Sequence, residues 1–375
     1  MESPSVPRQK NQIVWSVLIC AASIAAWCAF PQHRASAAQD AAEKTSQAGP
    51  SGYRLLKRIT LGGDGSWDYL AFDSPTRRLF ISRGSKVEVV DVDSNKAIGE
   101  IPNTPGVHGI ALAPEMGRGF TSNGRNGTVT IFDLSTLHAI GEVQAGRDPD
   151  AILYDHGSKR VFVMNGQSHD VTAIDASTGK ALATIPLKGR PESAVADGAG
   201  HVYVNLADTN EQVQMDSQSL TVESRWPVAP CRSPTGLAMD VAHRRLFAGC
   251  ENRMLVVTDA DTGKVIVTRA IGQGVGANRF DPGTGLIFSS NGEDATLTVI
   301  HEDGPDHYTI VENIPTQLNA RTMALDLKTH EIYLAAAALG AAEAATEAAT
   351  ETDPSPEAAI VPGSFVVLVY AHSGS

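Results

Sequence analysis

The chain is poor in the features that mark most enzymes and nucleic-acid binders. It has four cysteines in 375 residues, and two of them, Cys20 and Cys28, fall in the first 37. A cysteine-rich zinc or iron–sulfur framework is therefore excluded. No run of Lys or Arg follows residue 37, and no nucleophile, phosphate-loop or zinc motif appears. "GQGVGA" (272–277) has no helix to open, so it is no nucleotide loop. "NGT" (126–128) is a glycosylation sequon that carries nothing further. Aromatics are only 6% of the chain, and no segment after residue 37 sustains a helical period. What is abundant is glycine, at 34 residues, and apolar content, at 42%. That mixture suits many short strands joined by tight turns.

Residues 1–37 stand apart. Arg8 and Lys10 precede the uncharged run "IVWSVLICAASIAAWCAF" (13–30), and "ASAA" (35–38) gives a small-residue cleavage site after Ala37. This reads as a secretory signal peptide. A retained anchor is the alternative, since 18 apolar residues just span a bilayer. Ile19 and Trp27, before Cys20 and Cys28, are too large for a lipid-attachment site. Residues 38–52 read as a flexible leader. From residue 38 onward the chain carries 27 basic and 41 acidic residues, a net charge of −14. Nucleic acid is a poor partner for such a surface. A periplasmic or secreted monomer, off the membrane once the signal is cleaved, is expected.

One unit recurs seven times: a short strand, usually an aspartate, a polar turn and a second strand. Copies begin at Tyr69, Gly109, Ala151, Ser193, Gly236, Ala277 and Thr322. The closing residues are Asp73, Ala113, Asp155, Asp197, Asp240, Asp281 and Asp326, stepping by 40, 42, 42, 43, 41 and 45. Third strands such as "TVTIFDL" (128–134) and fourth strands such as "ALATIPL" (181–187) follow. Four strands in roughly 42 residues is the arithmetic of a β-propeller blade. The expected fold is all-β: a seven-bladed propeller of four-stranded antiparallel blades spanning 53–375. The seventh copy has a third strand at 364–372 and then no fourth, so "YRLLKRITLG" (53–62) is expected to complete it. An Ala/Glu/Thr-rich stretch, 338–362, reads as a disordered insertion in the last blade. Second strands that end in Asn-Gly, as in "RVFVMNG" (160–166), suggest a turn in which positive φ is cheap.

At "RVFVMNG", "HVYVNLA" (201–207) and "LIFSSNG" (286–292), followed by "TVTIFD"-like third strands, the chain resembles the YVTN-repeat β-propeller family of exported bacterial proteins. The resemblance covers about residues 53–372 and implies the propeller fold and export. Members of that family include binding or scaffold proteins, and related seven-bladed propellers include lactonases and a streptogramin-type lyase.

Chemistry is expected where loops enter the first strand of each blade and gather at one mouth of the channel. The aligned positions are Asp68, His108, Asp150, Glu192, Thr235, Gly276 and Arg321. Asp68, Asp150 and Glu192 suit a divalent cation, calcium, on the axis; no motif demands any other cofactor. His108 is the candidate general base. Arg147, Arg190 and Arg232 lie in the entering loops and with Arg321 could clamp an anion, or pair with neighbouring acids. Trp67 could stack a ligand or pack in the core, and Asn278 lies two residues past its ring position. Cys231 and Cys250 come to the same end of one hairpin and are expected to form a disulfide. The primary expectation is a non-enzymatic module that binds a partner protein or small ligand at the mouth. The alternative is a metal-assisted lactonase or lyase.

Overall fold

In most repeats the second and third strands are richer in apolar residues than the fourth. The reason is visible in the computed structural model, which describes residues 49–63, 65–340 and 360–373. The signal peptide expected over 1–37 lies outside the described residues, as do most of the leader and most of the insertion. There are seven four-stranded antiparallel sheets. Inner strands run Leu70–Asp73, Val107–Ala113, Pro149–Asp155, Pro191–Ala196, Pro234–Asp240, Val275–Asp281 and Met323–Asp326 in blades 1 to 7. Second strands such as Arg160–Asn165 are buried almost throughout, because both faces meet a neighbouring blade. Outer strands such as Lys180–Pro186 are mostly exposed. No helix among the described residues is long and apolar enough to cross a membrane.

The core is therefore a set of layers between blades. Phe80 of blade 1 meets Phe132 of blade 2 with ring centroids 6.0 Å apart. Between blades 7 and 1, Tyr333 and Val367 pack with Leu79 and Trp67. Each fully buried Phe or Leu adds about 1.5–3 kcal/mol of apolar burial. The last blade closes as expected: Tyr53–Thr60 pairs antiparallel with Val366–His372, from Tyr53 opposite His372 to Thr60 opposite Val366. The chain just before this strand is anchored too. The Ser51 amide and hydroxyl both donate to Glu312 Oε2, at 3.1 and 2.6 Å. Leu339 bridges Ile360 at the neck of the insertion.

The aspartates that close the inner strands lie on the face opposite the mouth. They are buried, and each accepts hydrogen bonds locally: Asp155 from the Gly157 and Ser158 amides, Asp240 from Ala242, Asp326 from Lys328. The last turn residue before the second strand adopts the left-handed conformation in every blade. It is Arg77, Lys159, Arg244 and His330 in blades 1, 3, 5 and 7, and Gly117, Gly200 and Gly285 in blades 2, 4 and 6. The four side chains reach back to the preceding blade. Arg244 pairs with Asp197 at 2.8 Å, His330 with Asp281 at 2.7 Å, and Arg77 with Asp326. In blade 2 the repeat has Ala113, and Lys159 takes Glu115 two residues on, at 2.9 Å. The ring is thus strapped at alternate interfaces and across its point of closure.

Candidate functional site at the channel mouth

The fifth residue of the second strand fixes the mouth. Ser82 Oγ donates to the carbonyl of His108, Ser122 to that of Asp150, and Ser290 to that of Arg321. Asn205 Nδ2 donates to the Thr235 carbonyl at 3.2 Å. In each case a buried polar side chain of one blade holds the ring residue of the next. Such groups need a partner when buried, so the bond and the position are specified together. Blade 5 has Gly249 at this place, and Thr235 Oγ1 instead donates to the Val275 carbonyl at 2.8 Å.

The Asn-Gly turns work differently from the expectation. Gly124, Gly166 and Gly292 do not have positive φ; that conformation falls three residues later, at Gly127, His169 and Ala295. Gly124 and Gly292 are needed for room. A Cβ on Gly124 would lie 2.7 Å from His108 Nε2, and one on Gly292 would lie 2.8 Å from Arg321 Cβ. Gly109 serves the same end, since its Cβ would come within 2.8 Å of the Asp150 carbonyl. The inner strands of blades 2 and 3 approach closely there, and His108 is brought beside Asp150.

All seven aligned positions line one cavity of about 420 Å³. His108 Nδ1 donates to Asp68 Oδ2 at 2.7 Å. Asp68, His108 and Asp150 each present a ligand atom within 4.8 Å of the others. Of the expected cation set, Asp68 and Asp150 therefore converge, with His108 as the third member. Glu192 Oε1 is taken by Arg190 at 2.7 Å. The Asp68 carboxylate pushes His108 up to about 9, against burial and with help from Asp150. Burial first, and then the charges of Asp68 and Glu192, push Asp150 up to about 7. Burial also raises Glu192, with Arg190 opposing it.

Three other residues complete the walls. Tyr69 of blade 1 lines the cavity and also packs with Leu153 and Ala194, of blades 3 and 4. Those blades are not its neighbours, so the ring crosses the axis and forms a floor. Burial, followed by Asp150, Asp68 and Glu192, holds its hydroxyl well above the usual phenol range. Glu251 and Glu293 stand on the far side, and burial and the charge of Glu293 raise Glu251. Glu251 occupies the place that Gly124, Gly166 and Gly292 hold in other blades, a signal present in the sequence. Tyr69 had no such signal.

Four of the residues named from the sequence lie elsewhere. Trp67 packs in the core, its ring centroid 5.5 Å from that of Phe365, so it has no face toward the channel. Arg147 is exposed in a groove between blades 2 and 3, donating to the Gln167 carbonyl at 3.2 Å. Arg232 is exposed and held by its backbone amide on Asn252 Oδ1 at 2.9 Å. Asn278 is fully buried against Gly236 and Gly249. Cys231 and Cys250 form the expected disulfide, with Cα atoms 5.5 Å apart. It abuts the cavity, since Glu251 and Ser233 follow its two halves in the chain.

No curated protein matches the sequence. Among solved structures the chain is similar to Kuenenia stuttgartiensis hydrazine synthase. The TM-score is 0.63 at 14% identity, covering 72% of this chain and 92% of that one. It is also similar to a chain of the mitotic checkpoint complex. There the TM-score is 0.66 at 14% identity, covering 85% of this chain and 95% of that one. At such identity these likenesses show the propeller fold alone. The Cytochrome D1 heme domain model matches residues 79–312, from the second strand of blade 1 into the last strand of blade 6. That is more than half of the sequence, and the chain belongs to the Cytochrome D1 heme domain family.

Proposed function

We propose that this chain is an exported, YVTN-type propeller that binds a small oxygen-bearing ligand at its channel mouth through a divalent cation. The cation is held by Asp68, His108 and Asp150. The observation that carries this reading is the convergence of those three ligand atoms within 4.8 Å in a cavity lined by every ring position. Two carboxylates and an imidazole are a sound donor set for manganese, with water completing its sphere, and a poorer one for calcium, which prefers oxygens alone. Asp68 also orients His108, and Arg321, on the neighbouring blade 7, can meet an anionic group of the ligand. Export is supported by the Cys231–Cys250 bond, which persists in oxidising compartments.

The family name raises a haem, and the mouth does not fit one. His108 and Tyr69 are side chains that could meet an iron, but a macrocycle needs flat apolar walls. The walls here carry Asp68, Asp150, Glu192, Glu251 and Glu293, and Tyr69 crosses the axis beneath them. The proposed chemistry uses no haem.

Calorimetric titration of chelator-treated protein with calcium and manganese chlorides tests the proposal. Asp68→Asn and Asp150→Asn should each weaken binding at least tenfold. Equal affinity in the parent and both variants would overturn it. A second reading, metal-assisted lactone hydrolysis or elimination, is favoured by one observation: Glu192 lines the same cavity without belonging to the ligand triad, so a carboxylate is left to act as a base. Turnover of a lactone panel, lost in Asp150→Asn, would establish that reading. No turnover by the metal-loaded parent would leave the binding module.

A further inference from the structure

The buried aspartates provide an internal comparison, because one position recurs at each interface on the face away from the mouth. Asp197 and Asp326 each face an arginine from the next blade, Arg244 and Arg77, and Asp281 faces His330. Between blades 5 and 6 the sign is reversed. Blade 6 has Gly285 where the cation would stand, and it brings Glu302 to Asp240 instead. Both carboxylate side chains are 4% exposed. His243 Nδ1 lies 2.6 Å from Asp240 Oδ2 and 3.4 Å from Glu302 Oε1. Each of the three presents a ligand atom within 4.8 Å of the others.

This arrangement depends on a departure from the repeat. The third strand of blade 6, Thr296–Gly304, has nine residues where those of the first five blades have six. Glu302 stands where blades 1 to 5 have Val92, Leu134, Ala176, Ser217 and Ala260, each of whose amides donates to the turn residue before the second strand, so an acid facing blade 5 here replaces an apolar or small residue. Tyr308 of the same hairpin donates to the Pro305 carbonyl at 2.8 Å, with Glu302 Oε1 3.2 Å from the same hydroxyl. The neighbouring guanidinium, Arg245, is turned away to Asp259, Asp306 and the Pro305 carbonyl. Two buried carboxylates thus face one imidazole. Even a charged imidazole would leave one negative charge unbalanced, which an interior resists.

We propose that Asp240, His243 and Glu302 form a second cation site, selective for a first-row divalent ion of the zinc type. Two carboxylate oxygens and one imidazole nitrogen suit such an ion, with water completing its sphere. Calcium prefers six or more oxygens. His243, 51% exposed, gives the ion its way in from solvent. The bound ion supplies at this interface the charge that Arg244 supplies between blades 4 and 5.

The test separates this site from the mouth. The full chain carrying Asp68→Asn and Asp150→Asn is stripped with chelator and titrated with cobalt(II), followed by calorimetry and by its visible absorption. One equivalent should bind, with the band of a four- or five-coordinate ion. Adding His243→Ala or Glu302→Gln should weaken that binding at least tenfold. His243 is half exposed and Glu302→Gln keeps the shape of the side chain, and circular dichroism checks that the propeller survives. The proposal is overturned if the mouth double variant binds no cobalt, or binds it equally well without His243 and Glu302. In either case the mouth site stands or falls on its own titration. Thermal stabilisation by Glu302→Gln, with no cobalt bound by its parent, would mean that the two carboxyls merely share a proton, which also overturns it.

Discussion

Arg244 of blade 5 donates to the fully buried carboxylate of Asp197 in blade 4 at 2.8 Å, with a second hand on Asp261. Lys159 and Glu115 make the equivalent link between blades 2 and 3, but both are exposed there. The two straps should differ in energy although they look alike in sequence. Arg244→Ala leaves a buried charge short of a partner and should cost about 2–3 kcal/mol, below the full range for a buried pair because Arg244 is partly exposed. Lys159→Ala should cost under about 1 kcal/mol. Urea unfolding of the two variants checks the order, and equal losses would contradict it.

Acid should loosen the same interface. Burial alone would raise Asp197, but the amides of His201 and Ala199, with Arg244 and His201, outweigh it and hold it at about 2. A depressed folded value means the stabilisation is complete above the unfolded value of 3.8 and is lost as pH falls toward 2. Thermal melts between pH 5 and 2 should fall steeply in the parent and less steeply in Asp197→Asn.

At the mouth, Asp68→Asn removes the carboxylate that raises His108. The histidine should then titrate well below 9, moving toward its ordinary 6.5. An NMR titration of the metal-free protein reads this directly. A His108 still titrating near 9 would assign the shift to Asp150 instead.

Gly124→Ala places a methyl 2.7 Å from His108 Nε2. Because Gly124 does not use positive φ, the fold should lose less than about 1.5 kcal/mol, while manganese binding at the mouth should fall about tenfold or more. A variant that binds as tightly as the parent would place His108 outside the ligand set.

Replacing Cys231 and Cys250 together by serine opens a loop with a sequence separation of 19. The chain-entropy account gives a loss of about 3 kcal/mol. Melting of the oxidised parent against the double variant measures it.

The ring was legible because its information is local: alternation within strands, an aspartate at the inner-strand end in six of seven copies, and a step near 42 residues. The mouth positions followed, since one alignment places all seven. Trp67 was not legible. In a strand a shift of one residue exchanges core for channel, and a tryptophan beside Asp68 reads the same in either setting. Tyr69 failed for the opposite reason, because a side chain crossing the axis meets blades that are distant in sequence. Glu251 could have been found, as an acid where sister blades have glycine. Glu302 could have been found in the same way, as an acid where sister blades have Val92, Leu134, Ala176, Ser217 and Ala260.

The pairing of Tyr53–Thr60 with Val366–His372 also sets an order of events. As a ribosome makes the chain, the strand from the first end emerges early and has no sheet to join. It must wait, unsatisfied, until the last hairpin arrives more than 300 residues later. Any delay leaves an adhesive edge in the nascent polypeptide, so this architecture rewards holding the chain unfolded until synthesis is finished and then letting the circle shut in one stroke.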